Sequence, residues 1–255
     1  MQSAAALRTQ IESLLEARIP SALTLKPQPI QECISCGIND IDRLEVFRRG
    51  NLVEICGSFS SGRTTLLHGL LSRCTAGGEA AAILDVTDSF DPVSASHLGV
   101  VLSELLWVRC GAARSQGRPL SAVEQALAAA DFLLQSGGFG LLVLDLANIP
   151  IKEARQIPLA AWFKFRRAVE GTRTLFLILA EQSNTGSSSA STLYVSQADV
   201  EVDESATSST PWHIDENCLI RNLRSRAEVV RGQMRKPVRS VRTEAEFATS
   251  LYEYR

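Results

Sequence analysis

The stretch Gly57-Ser58-Phe59-Ser60-Ser61-Gly62-Arg63-Thr64 decides the fold. It fits the phosphate-binding pattern G-x-x-x-x-G-K-[ST], with Arg63 where the pattern has lysine. Leu52-Val53-Glu54-Ile55-Cys56 before it reads as a strand, and Thr64 to Ser72 after it reads as a helix. That context is what the chemistry needs. Glycines let the backbone wrap an anion, and the first amides of the helix point at it. The candidate cradle is Gly57, Ser58, Phe59, Ser60, Ser61, Gly62, Arg63, Thr64 and Thr65. Thr64 is the candidate Mg²⁺ ligand. Its partner is Asp145, which ends the apolar strand Leu141-Leu142-Val143-Leu144 about 80 residues further on. Arg63 keeps the positive charge but is bulkier than lysine, and its planar fork fits a phosphate differently. ATP with Mg²⁺ is therefore one reading of the loop, and a loop kept only as scaffold is the other.

Working outward, Ala80 to Leu84 is a second buried strand ending in Asp85, and Leu105 to Arg109 a shorter third. Ser121 with Glu124 forms a capping box that opens a helix, and Gly137-Gly138 stops it. Pro158 to Val169 reads as helix and Thr174 to Leu179 as another buried strand. Apolar strands alternating with helices predict an α/β fold, a mostly parallel twisted sheet with helices on both faces. Residues 183–192 read as a loop, 199–217 as an acidic segment, and 218–242 as short antiparallel strands closing the sheet. Three parts follow: an amphipathic helix and proline-containing linker over 1–30, a core over 31–242, and a tail over 243–255. Phe247, Leu251 and Tyr252 at i, i+4 and i+5 make that tail a candidate interaction helix.

Composition narrows the class. The 255 residues are 45% hydrophobic and 21% charged, which excludes disorder and collagen. The longest apolar run, Phe139 to Leu146, is far below the roughly 20 residues of a membrane span. No basic region followed by an apolar core opens the chain, so a cytoplasmic location without membrane contact is expected. Cys33 and Cys36 form a C-x-x-C, but no second pair follows to complete a zinc site, so small buried thiols are the expectation. The net charge of −2 hides a basic strip: Arg221, Arg224, Arg226, Arg231, Arg235, Lys236, Arg239 and Arg242 against Glu228 alone. Such a strip suits a DNA backbone or an acidic partner, and equally the solvated faces of strands.

From about Ile34 to Val241 the sequence resembles the RecA ATPase core. The resemblance runs through the phosphate loop, Asp85 to Pro92, His97-Leu98-Gly99-Val100, Leu141 to Asp145, Leu179-Ala180-Glu181-Gln182, and Ile220 to Lys236. It implies a nucleotide-sensing role for Gln182, a Walker B role for Asp145, and an adenine-amino contact for Asp91. It also exposes departures. The catalytic glutamate falls on Thr87, with Asp88 beside it, and the adenine-stacking tyrosine falls on Ser94. The stretches after Asp145 and Gln182, where RecA has its DNA-binding loops, are shortened, and RecA's C-terminal domain has no counterpart.

A shorter, divergent relative fits better. Pro20-Ser-Ala-Leu-Thr24, Leu105-Leu-Trp-Val-Arg-Cys110, Gly137-Gly-Phe-Gly140 and Trp162-Phe-Lys-Phe-Arg-Arg167 are similar to the ImuA-type accessory factors of bacterial mutagenesis cassettes. That resemblance implies a role in DNA repair and damage-induced (SOS) translesion mutagenesis, with ATP hydrolysis weak or lost. The implied partners are a polymerase-like adaptor and an error-prone polymerase. Single-stranded DNA and a second copy of the chain are further candidates. The alternatives are an active DNA-dependent ATPase of recombinational repair and a RecA-fold cell-division inhibitor.

Overall fold

A computed structural model describes residues 32–111, 113–115, 118–202, 220–231 and 243–250. Within these, one eight-stranded sheet forms the body. Its strands are β1 (Leu52–Gly57), β2 (Ala81–Asp85), β3 (Leu105–Arg109), β6 (Leu141–Asp145), β7 (Leu175–Ala180), β8 (Ser191–Val202), β9 (Ile220–Arg231) and β10 (Thr243–Ser250). The order is β10-β9-β8-β1-β7-β6-β2-β3. From β3 to β8 every pairing is parallel, and β9 and β10 close the sheet antiparallel. A small hairpin of β4 (Ala113–Ser115) and β5 (Arg118–Leu120) stands apart.

Strands β2, β6 and β7 are buried at every position. A continuous apolar run demands cover on both faces, and helices supply it. On one face α1 (Asn39–Asp42) and α2 (Arg63–Ala76) bury Ile41, Leu66 and Leu70 with Val53, Ile55, Val143 and Leu177. On the other, α4 (Ala122–Ser136) and α6 (Leu159–Val169) bury Ala126, Leu133, Trp162 and Phe165 with Leu144 and Phe176. Short helices α3 (Pro92–His97) and α5 (Ile151–Ala154) follow β2 and β6. The α4 start is built as its sequence dictates: Ser121 Oγ accepts from the Glu124 amide at 3.1 Å, and Glu124 accepts from the Ser121 amide at 2.9 Å. Gly137, at φ 67°, ends it.

The C-terminal third departs from the sequence reading. Residues 191–202, taken in part as loop and in part as acidic segment, form strand β8. Its first half, Ser191 to Leu193 and Val195, is buried beside β1, and Ser196 to Ala198 are exposed. The short strands expected over 218–242 are, where described, one 12-residue strand, β9. Its alternation buries Ser225, Ala227 and Val229 and exposes Arg224, Arg226 and Val230. Two positions apart on a pleated strand, the two arginines share one face.

The tail is corrected as well. The candidate interaction helix over 243–255 is strand β10 over Thr243–Ser250, paired along its length with β9. The physical reason is the pairing edge that β9 offers, together with the alternation Glu244-Ala245-Glu246-Phe247, which suits a pleat. The sheet therefore runs past residue 242. Leu251 and Tyr252 lie outside the described residues, as do the N-terminal helix and linker of 1–30.

Candidate nucleotide site

The loop between β1 and α2 follows from two backbone constraints. Ser60 and Gly62 have positive φ, 58° and 98°, which turns the chain into the helix start. Gly57 lies so close to β8 that a Cβ there would sit 2.2 Å from the Val195 carbonyl oxygen. Helix α2 opens at Arg63 with no side-chain cap, so its first amides are left for an external anion. The loop forms the floor of a cleft of about 460 Å³ that also reaches Asp145, Asn148 and Leu179. Ser58 through Thr65 all line it, while Gly57, the last residue of β1, lies outside the lining.

Arg63 is only 7% exposed, and its Nη1 has no hydrogen-bond partner. Burial lowers its pKa, while the charges of Asp145 and Glu181 pull it back up. Ser61 Oγ is also buried without a partner. Two orphaned polar groups under a phosphate-shaped loop fit an anionic ligand that completes them. A nucleotide's phosphates supply such an anion.

Asp145 and Asp85 stand level at the ends of β6 and β2, and the two carboxylates have different work. Asp85 accepts from the Ser89 and Phe90 amides and from Trp107 Nε1, at 3.1, 2.9 and 3.2 Å, and so shapes the turn after β2. Asp145 accepts from the Ala147 amide at 2.9 Å and lines the cleft. Burial, with the neighbouring Asp85 charge, pushes its pKa up to about 6, against Arg63 and the Ala147 amide. A carboxylate so placed gains from a cation. Thr64 and Asp145 are the protein oxygens that would hold Mg²⁺, which takes the rest of its shell from phosphates and water. Among the described residues no group of three or more His, Cys, Asp or Glu could hold a metal by itself.

The turn after β2 carries the missing base. Thr87 is exposed, outside the cleft lining, and donates to Ser89 Oγ at 3.2 Å. A hydroxyl cannot take a proton from water as a carboxylate does. Asp88 does not substitute. At φ 57° its side chain turns to Arg109, which binds both its oxygens and stacks 4.9 Å over the Trp107 ring. Asp91 lines the cleft and caps α3, accepting from the Val93 and Ser94 amides at 3.0 and 3.2 Å and from Ser94 Oγ. These bonds, that from Ser94 Oγ first, hold its carboxyl below the usual range.

Gln182 falls outside the cleft lining. Its Oε1 accepts from Arg155 at 3.0 Å, which ties the segment after β7 to that after β6. The sequence reading gave Glu54 no role. It is fully buried in β1 and accepts from Ser183 and Thr185 hydroxyls and from the Asn184 and Thr185 amides. An acid inside an apolar strand was its signal. His68, on the buried face of α2, is a second such residue. Cys36 is buried as expected, but Cys33 is exposed; burial pushes both thiols up, that of Cys36 to about 12.

A parallel sheet with a phosphate loop after β1 and acids ending two neighbouring strands defines a P-loop α/β protein. The family model "RecA N-terminal domain" matches residues 26–155, just over half of the chain, and the chain belongs to that family. The RecA protein of Borrelia turicatae (strain 91E135) is 39% identical over 99 residues, which are 39% of this chain and 24% of that protein. The match thus spans about a quarter of the relative's length. No helix among the described residues is long and apolar enough to cross a membrane.

Proposed function

We propose that this chain is a RecA-like accessory protein of DNA repair and damage-induced translesion mutagenesis. It holds ATP with Mg²⁺ between Gly57–Thr65 and Asp145 and hydrolyses it weakly or not at all. The observation that carries this reading is the pairing of a phosphate loop that lines a cleft with a missing catalytic base. The loop, Thr64 and Asp145 surround one cleft, while Thr87 replaces the catalytic glutamate and Asp88 is held by Arg109. A site that binds without turning over signals its state to partners. The partners are a polymerase-like adaptor and an error-prone polymerase. Single-stranded DNA is a further ligand, for which Arg224 and Arg226 on one exposed strand face are the candidate contacts. Pull-down with the adaptor and the polymerase, with and without ATP, tests the reading. Nucleotide-dependent capture supports it, and failure to capture either partner in both conditions overturns it.

The second reading is an active DNA-dependent ATPase of recombinational repair. The presence of Gly57, Gly62, Thr64, Thr65 and Asp145, all but Gly57 lining the cleft, favours it. Phosphate release stimulated by single-stranded DNA and abolished by Asp145→Ala establishes it in place of the first.

A further inference from the structure

The lysine of the phosphate-loop pattern is an arginine in this chain, and the fold buries it with nothing to hold. Arg63, the first residue of α2, is 7% exposed and lines the cleft. Its guanidinium carries five N–H donors in a rigid fork. None of them meets an acceptor among the described residues, and Nη1 is itself buried. Two residues earlier, Ser61 is 1% exposed and its Oγ is orphaned in the same way. A buried charge without a partner is costly. One kind of ligand completes both groups, an anion with several oxygens.

The arginine also changes the charge balance of the cleft. Among the described residues that line it, Arg63 is the one arginine or lysine. The acids whose charges act on it are Asp145, which ends β6, and Glu181, which follows β7. The effect is mutual, since the Arg63 charge acts on Asp145 in turn. A resident cation therefore stands within reach of the carboxylate that would hold Mg²⁺. It offsets that acid and repels a dication, so the gain from adding Mg²⁺ is smaller than at an uncompensated carboxylate. It also does at the phosphates what the ion does. A dication neutralises a polyphosphate and bridges its oxygens. A guanidinium fork neutralises and takes two oxygens at once, whereas a lysine ammonium supplies the charge without the fork.

We infer that Arg63 makes binding at this cleft independent of a divalent cation: its guanidinium and the Ser61 hydroxyl hold the polyphosphate, and Mg²⁺ adds little to the affinity. The ligand is taken as the free polyphosphate anion or with the ion, and Thr64 and Asp145 remain open to the ion when it is present. This inference rests on the P-loop cleft being a nucleotide site. It gives a reason why binding and turnover part here. Affinity is set by a side chain that stays in place, and not by the ion that would stabilise charge on a leaving phosphate.

The test is calorimetric titration of the full chain with a non-hydrolysable imido analogue of ATP, once with excess Mg²⁺ and once in EDTA. The two dissociation constants of the wild type agree within about threefold. Arg63→Lys restores the residue that the phosphate-loop pattern carries, so the loop keeps its fold. In that variant EDTA weakens binding about tenfold or more relative to Mg²⁺. Wild-type binding that EDTA weakens beyond about threefold overturns this inference and leaves the nucleotide-site reading standing. An Arg63→Lys ratio no larger than that of the wild type also overturns it, because the loop amides and not the guanidinium then make the ion dispensable. Binding by the wild type in neither condition overturns the nucleotide-site reading and this inference together.

Discussion

Glu54 and Thr185 are joined by two hydrogen bonds across the sheet: the Thr185 hydroxyl donates at 2.7 Å and its amide at 3.3 Å. Through them the strand that leads into the phosphate loop clamps the segment that follows β7. Ser183 Oγ and the Asn184 amide, each at 2.7 Å, complete the clamp. Glu54→Leu leaves these donors without an acceptor and should cost on the order of 3 kcal/mol. Glu54→Gln keeps an oxygen for the two amides and should cost less. Denaturant unfolding measures both, and hydrogen exchange at Asn184 and Thr185 should accelerate in the leucine variant.

Asp145 predicts a pH-dependent stability. Its folded pKa of about 6 lies above the ordinary 3.8 of an aspartate. Folding therefore favours the protonated form. That contribution is whole below pH 3.8 and is lost as pH rises through about 6. At pH 8 the buried carboxylate costs ~3 kcal/mol. Asp145→Asn removes this cost and keeps an oxygen for the Ala147 amide. Its Tm should exceed that of the wild type by roughly 5–10 °C at pH 8 in EDTA, and the gain should vanish near pH 4.

Gly57 is the tightest point of the loop. A methyl group there meets the Val195 carbonyl oxygen at 2.2 Å and Ser61 Oγ at 2.6 Å, and the carbonyl belongs to the paired strand. Backbone cannot step aside without parting β1 from β8. Gly57→Ala should cost ~1–3 kcal/mol and abolish nucleotide binding, as thermal unfolding and titration will show.

The exposed pair of Asp88 and Arg109 holds the acid away from chemistry. Asp88→Asn should leave both Tm and phosphate release nearly unchanged, because exposed ion pairs contribute little. Thr87→Glu supplies a carboxylate next to Ser89, which lines the cleft. It should raise phosphate release at least about tenfold over the wild type. An increase with Asp88→Asn in its place would contradict the account of this turn.

The phosphate loop, its flanking strand and helix, the α4 capping box and Asp145 were legible in the sequence because local rules set them. Glycine geometry, a short-range cap and an unbroken apolar run do not need the rest of the chain. The antiparallel closing strand β9 was legible within 218–242, but its length and its partners β8 and β10 were not, because each is defined by its neighbour. Ser191–Val202 and Thr243–Ser250 become strands by pairing with β9 on either side. In the site, Asp145 and the cradle came from spacing. The hold of Arg109 on Asp88, of Arg155 on Gln182, and of Glu54 on 183–185 join residues from separate elements. No local pattern encodes such contacts.

The central claim is that the cleft holds a nucleotide that the chain does not turn over. Titration of the purified chain with ATP and Mg²⁺, with phosphate release followed in the same sample, tests it most directly. The account predicts saturable binding that Gly57→Ala abolishes, with release indistinguishable from the protein-free rate or only slightly above it. Absence of any binding would make the loop a scaffold, and sustained turnover by the wild-type chain would make it an ATPase; either result contradicts the account.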